Sequence, residues 1–186
     1  MELILASASP RRRENLARIF PSFSVEPAEG EERADLSLPP AQYAGALAQK
    51  KAESVFARHP DAAVLGADTV VAFGGRILGK PKDAADAKRT LRALSGREHA
   101  VYTGYCLLLA GKTLRGVCET KVFFRELSDA FIDEYVAGGS PMDKAGSYGI
   151  QDDARLVRSW SGSYTNVVGL PEEEIRKCLT EAGLLP

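Results

Sequence analysis

Apolar and polar positions alternate along this chain in a pattern that predicts strands and helices in mixed order. Near the start, the apolar run Leu3–Leu5 gives way to small polar residues that end with Ser9, and Pro10 follows. Serine is a preferred N-cap and proline a preferred first helical residue, so these residues predict a strand, a tight loop and a helix. A short strand is expected at 23–25, followed by a long acidic loop over 26–40.

A second helix is predicted from Pro39-Pro40 to about Arg58. Its apolar stripe has helical spacing and consists of Ala44, Leu47, Ala48, Ala52, Val55 and Phe56. Lys51 lies one turn from both Leu47 and Val55, so it falls on the apolar stripe and not on the solvated face.

The run from Ala62 to Phe73 is almost continuously apolar and ends at two glycines, which favours a central strand followed by a turn. Residues 76–78 are predicted to pair back on it, and Asp83 is expected to cap a helix over 84–94. The segments 98–109 and 113–125 are rich in β-formers and predict a long antiparallel hairpin.

The last third is predicted to contain a helix from Ser128 to about Ala137, then an irregular segment over 143–153. A final strand pair is expected around 156–160 and 164–168, before a helix that begins at Pro171. Because strands and helices mix without a strict repeat, the pattern favours an α/β fold with a mixed sheet flanked by helices. The whole chain, residues 1–186, is predicted to be one domain.

Composition narrows the function more than it identifies it. A formal net charge of −1 gives no general attraction to nucleic acid or to an anionic membrane, so an anion site must be a local cluster of cations. The three cysteines are far apart and not in metal-ligand spacing, which is typical of reduced thiols. With no signal-like or membrane-spanning apolar run, a cytoplasmic protein is expected.

Three arginines, Arg11 to Arg13, follow the predicted helix start. Cations are disfavoured at this end of a helix dipole, so their presence there indicates an anion to be bound. Arginine forks together with serine hydroxyls suit a phosphate chain. The alternative is that these arginines are solvated surface residues, and this segment alone does not decide between the two.

Asp68 stands inside the apolar strand, where an unpaired carboxylate is costly. It must therefore be paired, metal-bound or protonated, and it is a candidate general base. The alternative is a structural aspartate that forms an ion pair with an arginine.

Lys51 and Lys80 each have an ordinary explanation, because a single lysine usually extends its ammonium to water. Together with the arginines they would form the cation clamp that a triphosphate requires. Glu32, in the acidic loop, is by default a solvated residue, but beside a phosphate site it could help to hold Mg²⁺ or Mn²⁺. Gln151 offers the donor and acceptor needed to recognise a pyrimidine base, although structural glutamines are commoner.

Six separated motifs, in order along the chain, resemble the Maf family of nucleoside triphosphate pyrophosphatases. They are Leu5–Arg12, Gly66–Thr69, Lys80-Pro81, Asp143–Gly146, Gly162–Tyr164 and Val167–Pro171. The resemblance implies a mixed sheet with two lobes and a cleft between them, as in the related inosine triphosphatases. It also implies a house-cleaning hydrolase that converts a nucleoside triphosphate to the monophosphate and pyrophosphate with a divalent metal.

Carried over by motif, the resemblance makes Asp68 the proton acceptor, assisted in catalysis by Lys80 and Glu32. Glu32 and Asp68 would also help to hold the metal. Ser7, Arg11, Arg12, Lys51 and Lys80 would bind the phosphate chain. Nucleoside triphosphates are the implied partners, and the family also suggests a homodimer.

The positions that match the family's discriminating residues are Arg11, Thr69 and Gln151, which resemble the branch that acts on dTTP and UTP. Two alternatives stay open: the 7-methyl-GTP branch, and a non-catalytic nucleic-acid-binding or septum-inhibition regulator. One departure bears on the substrate, because Asp152 and Asp153 follow Gln151 where the family often continues with glycine.

Overall fold

The computed structural model describes residues 1–29 and 34–186, so Glu32 lies outside the described residues. The helices are α1 Pro10–Ile19, α2 Pro40–Phe56, α3 Ala84–Leu94, α4 Asp129–Ala137, α5 Tyr164–Val168 and α6 Glu172–Glu181, with 3₁₀ turns at Ser140–Asp143 and Ala145–Ser147. The strands are β1 Leu3–Leu5, β2 Ser24–Val25, β3 Ala63–Phe73, β4 Arg76–Leu78, β5 Glu98–Leu109, β6 Lys112–Phe124 and β7 Val157–Ser161. No helix of these residues is both long and apolar enough to span a membrane.

The described strands form one seven-stranded sheet in the order β2-β1-β3-β5-β6-β7, and β4 also pairs with β3. Strand β1 runs parallel to β2 and β3, whereas the other pairs are antiparallel. Helices flank this sheet, which confirms the predicted mixed α/β fold.

The edge of β3 is only partly covered, and this creates an opening between two lobes. Strand β5 pairs with β3 along one edge, from Val64 to Ala72. On the other edge, β1 pairs with Ala63–Leu65 and β4 with Val71–Phe73. Among the described strands, none covers Gly66–Val70 at that edge. Asp68 and Thr69 lie in this gap.

Separate hydrophobic cores support the two sides of the gap. One core packs β1, β3, α1 and α6 around fully buried residues such as Leu65 and Leu179. Another packs α3, α4 and the segment after α4 around Leu91, Ile132 and Leu156. A third core lies between α2 and the sheet. A separate hydrophobic core therefore supports each side of the gap.

Helix α2 packs unusually close to the sheet because glycines face it. A Cβ on Gly66 would lie 2.2 Å from the Ala48 carbonyl oxygen, and one on Gly104 would lie 2.4 Å from that of Ala44. Real Cβ atoms do not approach so closely, so both positions require glycine. The close approach brings Lys51 of α2 to Asp68, which lies two positions after Gly66 in β3.

One predicted element is wrong: Tyr164–Val168 is helix α5 and not the second strand of a final pair. Its valines and threonine favour a strand locally, but the Ser163 side chain caps a helix by accepting from the Asn166 backbone N–H. The buried Asn166 amide then donates to the Val101 carbonyl and to Thr120 Oγ1. These tertiary bonds override the local preference.

Candidate active site

The gap in the edge of β3 opens into a cleft of about 770 Å³. Every predicted site residue that the structure describes lines this cleft, namely Ser7, Arg11, Arg12, Lys51, Asp68, Thr69, Lys80 and Gln151. They come from five separate parts of the chain. Glu32 falls outside the described residues.

Asp68 and Lys51 form an ion pair at the cleft. Lys51 Nζ donates to Asp68 Oδ1 over 2.6 Å, and the two side chains are 22% and 14% exposed. The sequence left open a structural aspartate paired with an arginine. Its partner is instead a lysine from the candidate set. Both groups line a cleft open to solvent, so the carboxylate can receive a proton from a bound water.

Arg12 organises the wall beside Asp68. Its Nε donates to the Gly169 carbonyl over 2.9 Å, and its terminal nitrogens donate to Ser7 Oγ and Thr69 Oγ1 over 3.2 and 3.1 Å. Burial lowers the pKa of the Arg12 guanidinium, while the nearby Asp68 charge opposes that effect. Three of its five N–H groups thus donate to described residues, and none of these residues accepts from the other two.

Arg11 and Lys80 differ from Arg12 because their side chains form no hydrogen bond or ion pair with any described residue. The Arg11 charge is nevertheless close enough to Asp143 to interact with it electrostatically. Arg11 lies in the first turn of α1, where the free backbone N–H groups also favour an anion. Lys80 is exposed in the loop after β4. Two cations with unused donors at one cleft are suited to bind phosphate oxygens.

Charge at the cleft is positive overall. Its described lining includes five cations, with Lys144 as the fifth, against the three carboxylates Asp68, Asp143 and Asp152. The described lining therefore has an excess of two positive charges, although the whole chain has a formal net charge of −1. The local cation cluster that an anion site requires is therefore present.

Residues 143–152 form the other wall of the cleft. Within this wall, Tyr148 contacts the buried His99. His99 Nε2 lies 2.6 Å from Tyr148 Oη, and the two rings pack edge to face with Phe124. Burial lowers the pKa of His99 to about 4, so the ring is neutral near pH 7. The Gly146 N–H donates to the Gly79 carbonyl, which ties the loop that carries Lys80 to this wall.

Sequence reasoning missed the polar network within this wall. Lys144 is only 9% exposed and donates to the Ser140 carbonyl and hydroxyl. Asp152 accepts hydrogen bonds from Ser140 and from Tyr135. Lys144 stood in a recognised motif without a role, and Asp152 stood out only as a departure from the family pattern.

Comparison with known proteins identifies the family. The family model described as "Maf-like protein" matches residues 2–182. A Thermococcus gammatolerans protein named dTTP/UTP pyrophosphatase is 52% identical over 182 residues, which cover 97% of this chain and 96% of that protein. A Moorella thermoacetica protein of the same name is 49% identical over 186 residues, covering 98% and 96%.

A solved structure found to be similar is a more distant match than these relatives. This structure, titled as that of the Staphylococcus aureus Ham1 protein, has a TM-score of 0.48 and 14% identity, with 68% of this chain and 73% of that chain covered. The family model and the two relatives each match nearly the whole chain. The chain belongs to the Maf family.

Proposed function

We propose that this protein hydrolyses the pyrimidine nucleoside triphosphates dTTP and UTP to the nucleoside monophosphate and pyrophosphate. The observation that carries the proposal is the cleft itself, which is lined by the paired carboxylate of Asp68 and by the cations Arg11 and Lys80. The side chains of these two cations form no hydrogen bond or ion pair among the described residues. The relatives that bear the name dTTP/UTP pyrophosphatase support the choice of substrate.

Asp68 is the general base of this reaction. A water oxygen attacks the α-phosphorus, its proton passes to the Asp68 carboxylate, and the bond from the α-phosphorus to the bridging oxygen of the β-phosphate breaks. Lys51 orients the carboxylate through its 2.6 Å bond to Oδ1. A carboxylate offers about four lone-pair sites, so this bond leaves acceptor capacity for the proton.

Arg11 and Lys80 bind the phosphate chain and neutralise the departing pyrophosphate, with Ser7 and the remaining N–H groups of Arg12. Such donors act where charge develops in the transition state, which makes them more effective than the same contacts in water. The side chains of Arg11 and Lys80 have no hydrogen bond or ion pair with a described residue that substrate binding would have to break.

A divalent cation fits this cleft in one specific way. Among the described residues there is no cluster of three or more His, Cys, Asp or Glu side chains that could hold a metal ion. Mg²⁺ in phosphate enzymes commonly uses one or two carboxylates together with substrate oxygens, and Asp68 supplies such a carboxylate. A triphosphate of about four negative charges also exceeds the cleft's positive charge by about two. When bound, the ion polarises phosphoryl oxygens.

Base recognition falls to Gln151, with Thr69 and Arg11 as the other discriminating positions. The Gln151 amide lines the cleft and has no hydrogen-bond partner among the described residues. It can therefore donate to one edge atom of a pyrimidine and accept from its N–H.

The test is a panel of triphosphates, 7-methyl-GTP included, incubated with the purified protein and Mg²⁺ or Mn²⁺. We expect monophosphate and pyrophosphate from dTTP and UTP, with lower turnover of the purine nucleotides. A preference for 7-methyl-GTP would contradict the pyrimidine assignment. No turnover of any nucleotide, together with salt-sensitive DNA binding, would instead favour the non-catalytic regulator.

A further inference from the structure

The side chain of Asp152 accepts three polar contacts on one oxygen. Tyr135 Oη donates to Asp152 Oδ2 over 2.7 Å, Ser140 Oγ donates to it over 2.6 Å, and Lys144 Nζ lies 3.3 Å away. The side chain is only 14% exposed although its backbone lies at the surface. Its carboxylate therefore points inward and joins α4, the 3₁₀ turn after it and the wall of the cleft.

These contacts close a loop of bonds around Gln151. The Gly149 N–H donates to Tyr135 Oη, and Tyr135 donates in turn to Asp152. The Asp152 N–H donates back to the Gly149 carbonyl over 3.0 Å, which closes the turn. Gln151 lies inside this turn, and its own side chain forms no hydrogen bond with the described residues.

Space around the turn is also filled. A Cβ on Gly149 would lie between 2.7 and 2.9 Å from three atoms of the Asp152 carboxyl group. The carboxylate thus packs directly against the Gly149 backbone, in addition to its hydrogen bonds. Removing it would free the hydroxyls of Tyr135 and Ser140, and would leave the Lys144 ammonium without one of its two carboxylate partners.

We propose that Asp152 is a positioning residue for pyrimidine recognition: it fixes the turn over 149–152 and so aims the Gln151 amide into the cleft. This inference rests on the proposed function and extends it to a residue that departs from the family pattern. Among the described residues, Asp152 forms no hydrogen bond or ion pair with Asp68 or Lys51. Its effect should therefore fall on substrate binding and choice, and not on the chemical step.

The experiment compares Asp152→Ala with Asp153→Ala for UTP and GTP. Asp153 is the matched control, because it is the next residue along the chain but pairs with Arg155 outside the cleft. For Asp152→Ala we expect the KM for UTP to rise about tenfold, since hydrogen bonds to a charged group are lost. The kcat and the KM for GTP should change little, and Asp153→Ala should resemble the unmodified protein.

Two further variants separate positioning from a general structural role. Asp152→Asn keeps an acceptor oxygen for both hydroxyls and should hold the KM for UTP to about threefold of its normal value. In a Gln151→Ala background, Asp152→Ala should add almost nothing, because coupled residues are not additive. If Asp152→Ala does not fold, Tyr135→Phe carries the same comparison, because it removes the hydroxyl that joins Asp152 to the Gly149 N–H.

The possible failures are distinguishable. Hydrolysis of UTP by the unmodified protein, with the same KM and the same UTP preference in Asp152→Ala, would overturn this inference alone. Equal losses for UTP and GTP, or full additivity with Gln151→Ala, would also overturn it, because they indicate a general loosening. No hydrolysis of any triphosphate by the unmodified protein would remove the proposed function and this inference together.

Discussion

The two walls of the cleft are built in different ways. On the first wall, Asp68 and Thr69 belong to an eleven-residue strand of the sheet, and Arg12 belongs to α1. On the second wall, residues 143–152 form only short 3₁₀ turns, and side-chain bonds such as Tyr135–Asp152 and His99–Tyr148 fix their course. The first wall is held by backbone ladders, and the second by a few polar contacts above a hydrophobic core.

This difference suggests a division of work. Proton transfer and charge neutralisation need groups held in constant geometry, which a sheet and the start of a helix provide. Choice between bases needs a shape that can vary without disturbing that geometry, and irregular segments on a rigid scaffold serve this purpose. Catalysis is therefore expected to depend on the first wall, and substrate preference on the second.

The largest expected effect comes from the first wall. Asp68→Asn keeps the shape of the side chain but removes the proton acceptor, so kcat for UTP should fall by about 10² to 10⁴-fold. UTP binding without a divalent ion should largely survive, because the cations that bind the phosphate chain remain. A turnover assay measures the loss of kcat, and calorimetry measures UTP binding separately. Asp133→Asn, at an ion pair with Lys88 on the surface, is the control. Full activity of Asp68→Asn would remove Asp68 as the base.

The free energy of unfolding should depend on pH through His99, which contacts Tyr148 of the second wall. An unfolded histidine has a pKa near 6.5, and burial lowers the pKa of His99 to about 4. Between these values the unfolded chain binds a proton that the folded protein excludes, so stability falls as pH falls from about 6.5 to 4. The loss reaches up to about 3 kcal/mol. Urea unfolding at several pH values measures it.

His99→Gln isolates this contribution, since glutamine can still bond the Tyr148 hydroxyl but does not titrate. Other groups also lose stabilisation in acid, for example Glu26, whose pKa is lowered chiefly by Arg58 and then by His59. The informative quantity is therefore the difference between the two proteins. Parallel profiles of unfolding free energy against pH would show that His99 does not carry the effect.

The contrast between the walls also explains what could be predicted from the sequence. Elements with a local signal were found, such as the helix that Asp83 caps and the long apolar strand that contains Asp68. The first wall depends on such elements, and so its candidate residues converged as expected. The strand predicted at 164–168 was wrong because the Asn166 side chain bonds to strands far away in the chain.

The second wall was predictable only in outline. Its irregular course follows from its composition, and Gln151 was proposed from its amide donor and acceptor and from its match to a discriminating position of the family. The bonds that join Tyr135, Ser140 and Asp152 link residues 12 and 17 positions apart, with no periodicity between them. Such contacts are set by how α4 and the turn pack on their core, and a pattern of apolar positions does not encode them.

A variant of Lys80 tests both walls together. A hydrogen bond from the Gly146 N–H to the Gly79 carbonyl ties its loop to the second wall, whereas its ammonium is proposed to bind the phosphate chain. Lys80→Ala should lower kcat/KM for UTP by about 10 to 100-fold, the usual cost of losing a hydrogen bond from a charged group. Lys82→Ala is the matched control, since Lys82 is exposed two residues further on and does not line the cleft. Equal activity of the two variants would exclude Lys80 from phosphate binding.

The smallest expected effect is a change of preference without a loss of chemistry. Gln151→Glu keeps the size of the side chain but replaces its amide donor with a charged acceptor, so it should repel the acceptor edge of a pyrimidine. We expect the ratio of kcat/KM for UTP to that for GTP to fall about tenfold, as one recognition bond is lost. The kcat for whichever nucleotide binds should remain close to normal, because Asp68 and Lys51 are unchanged. A lower kcat with an unchanged ratio would reverse the proposed division, since it would place Gln151 in the chemical step and leave base choice to the first wall.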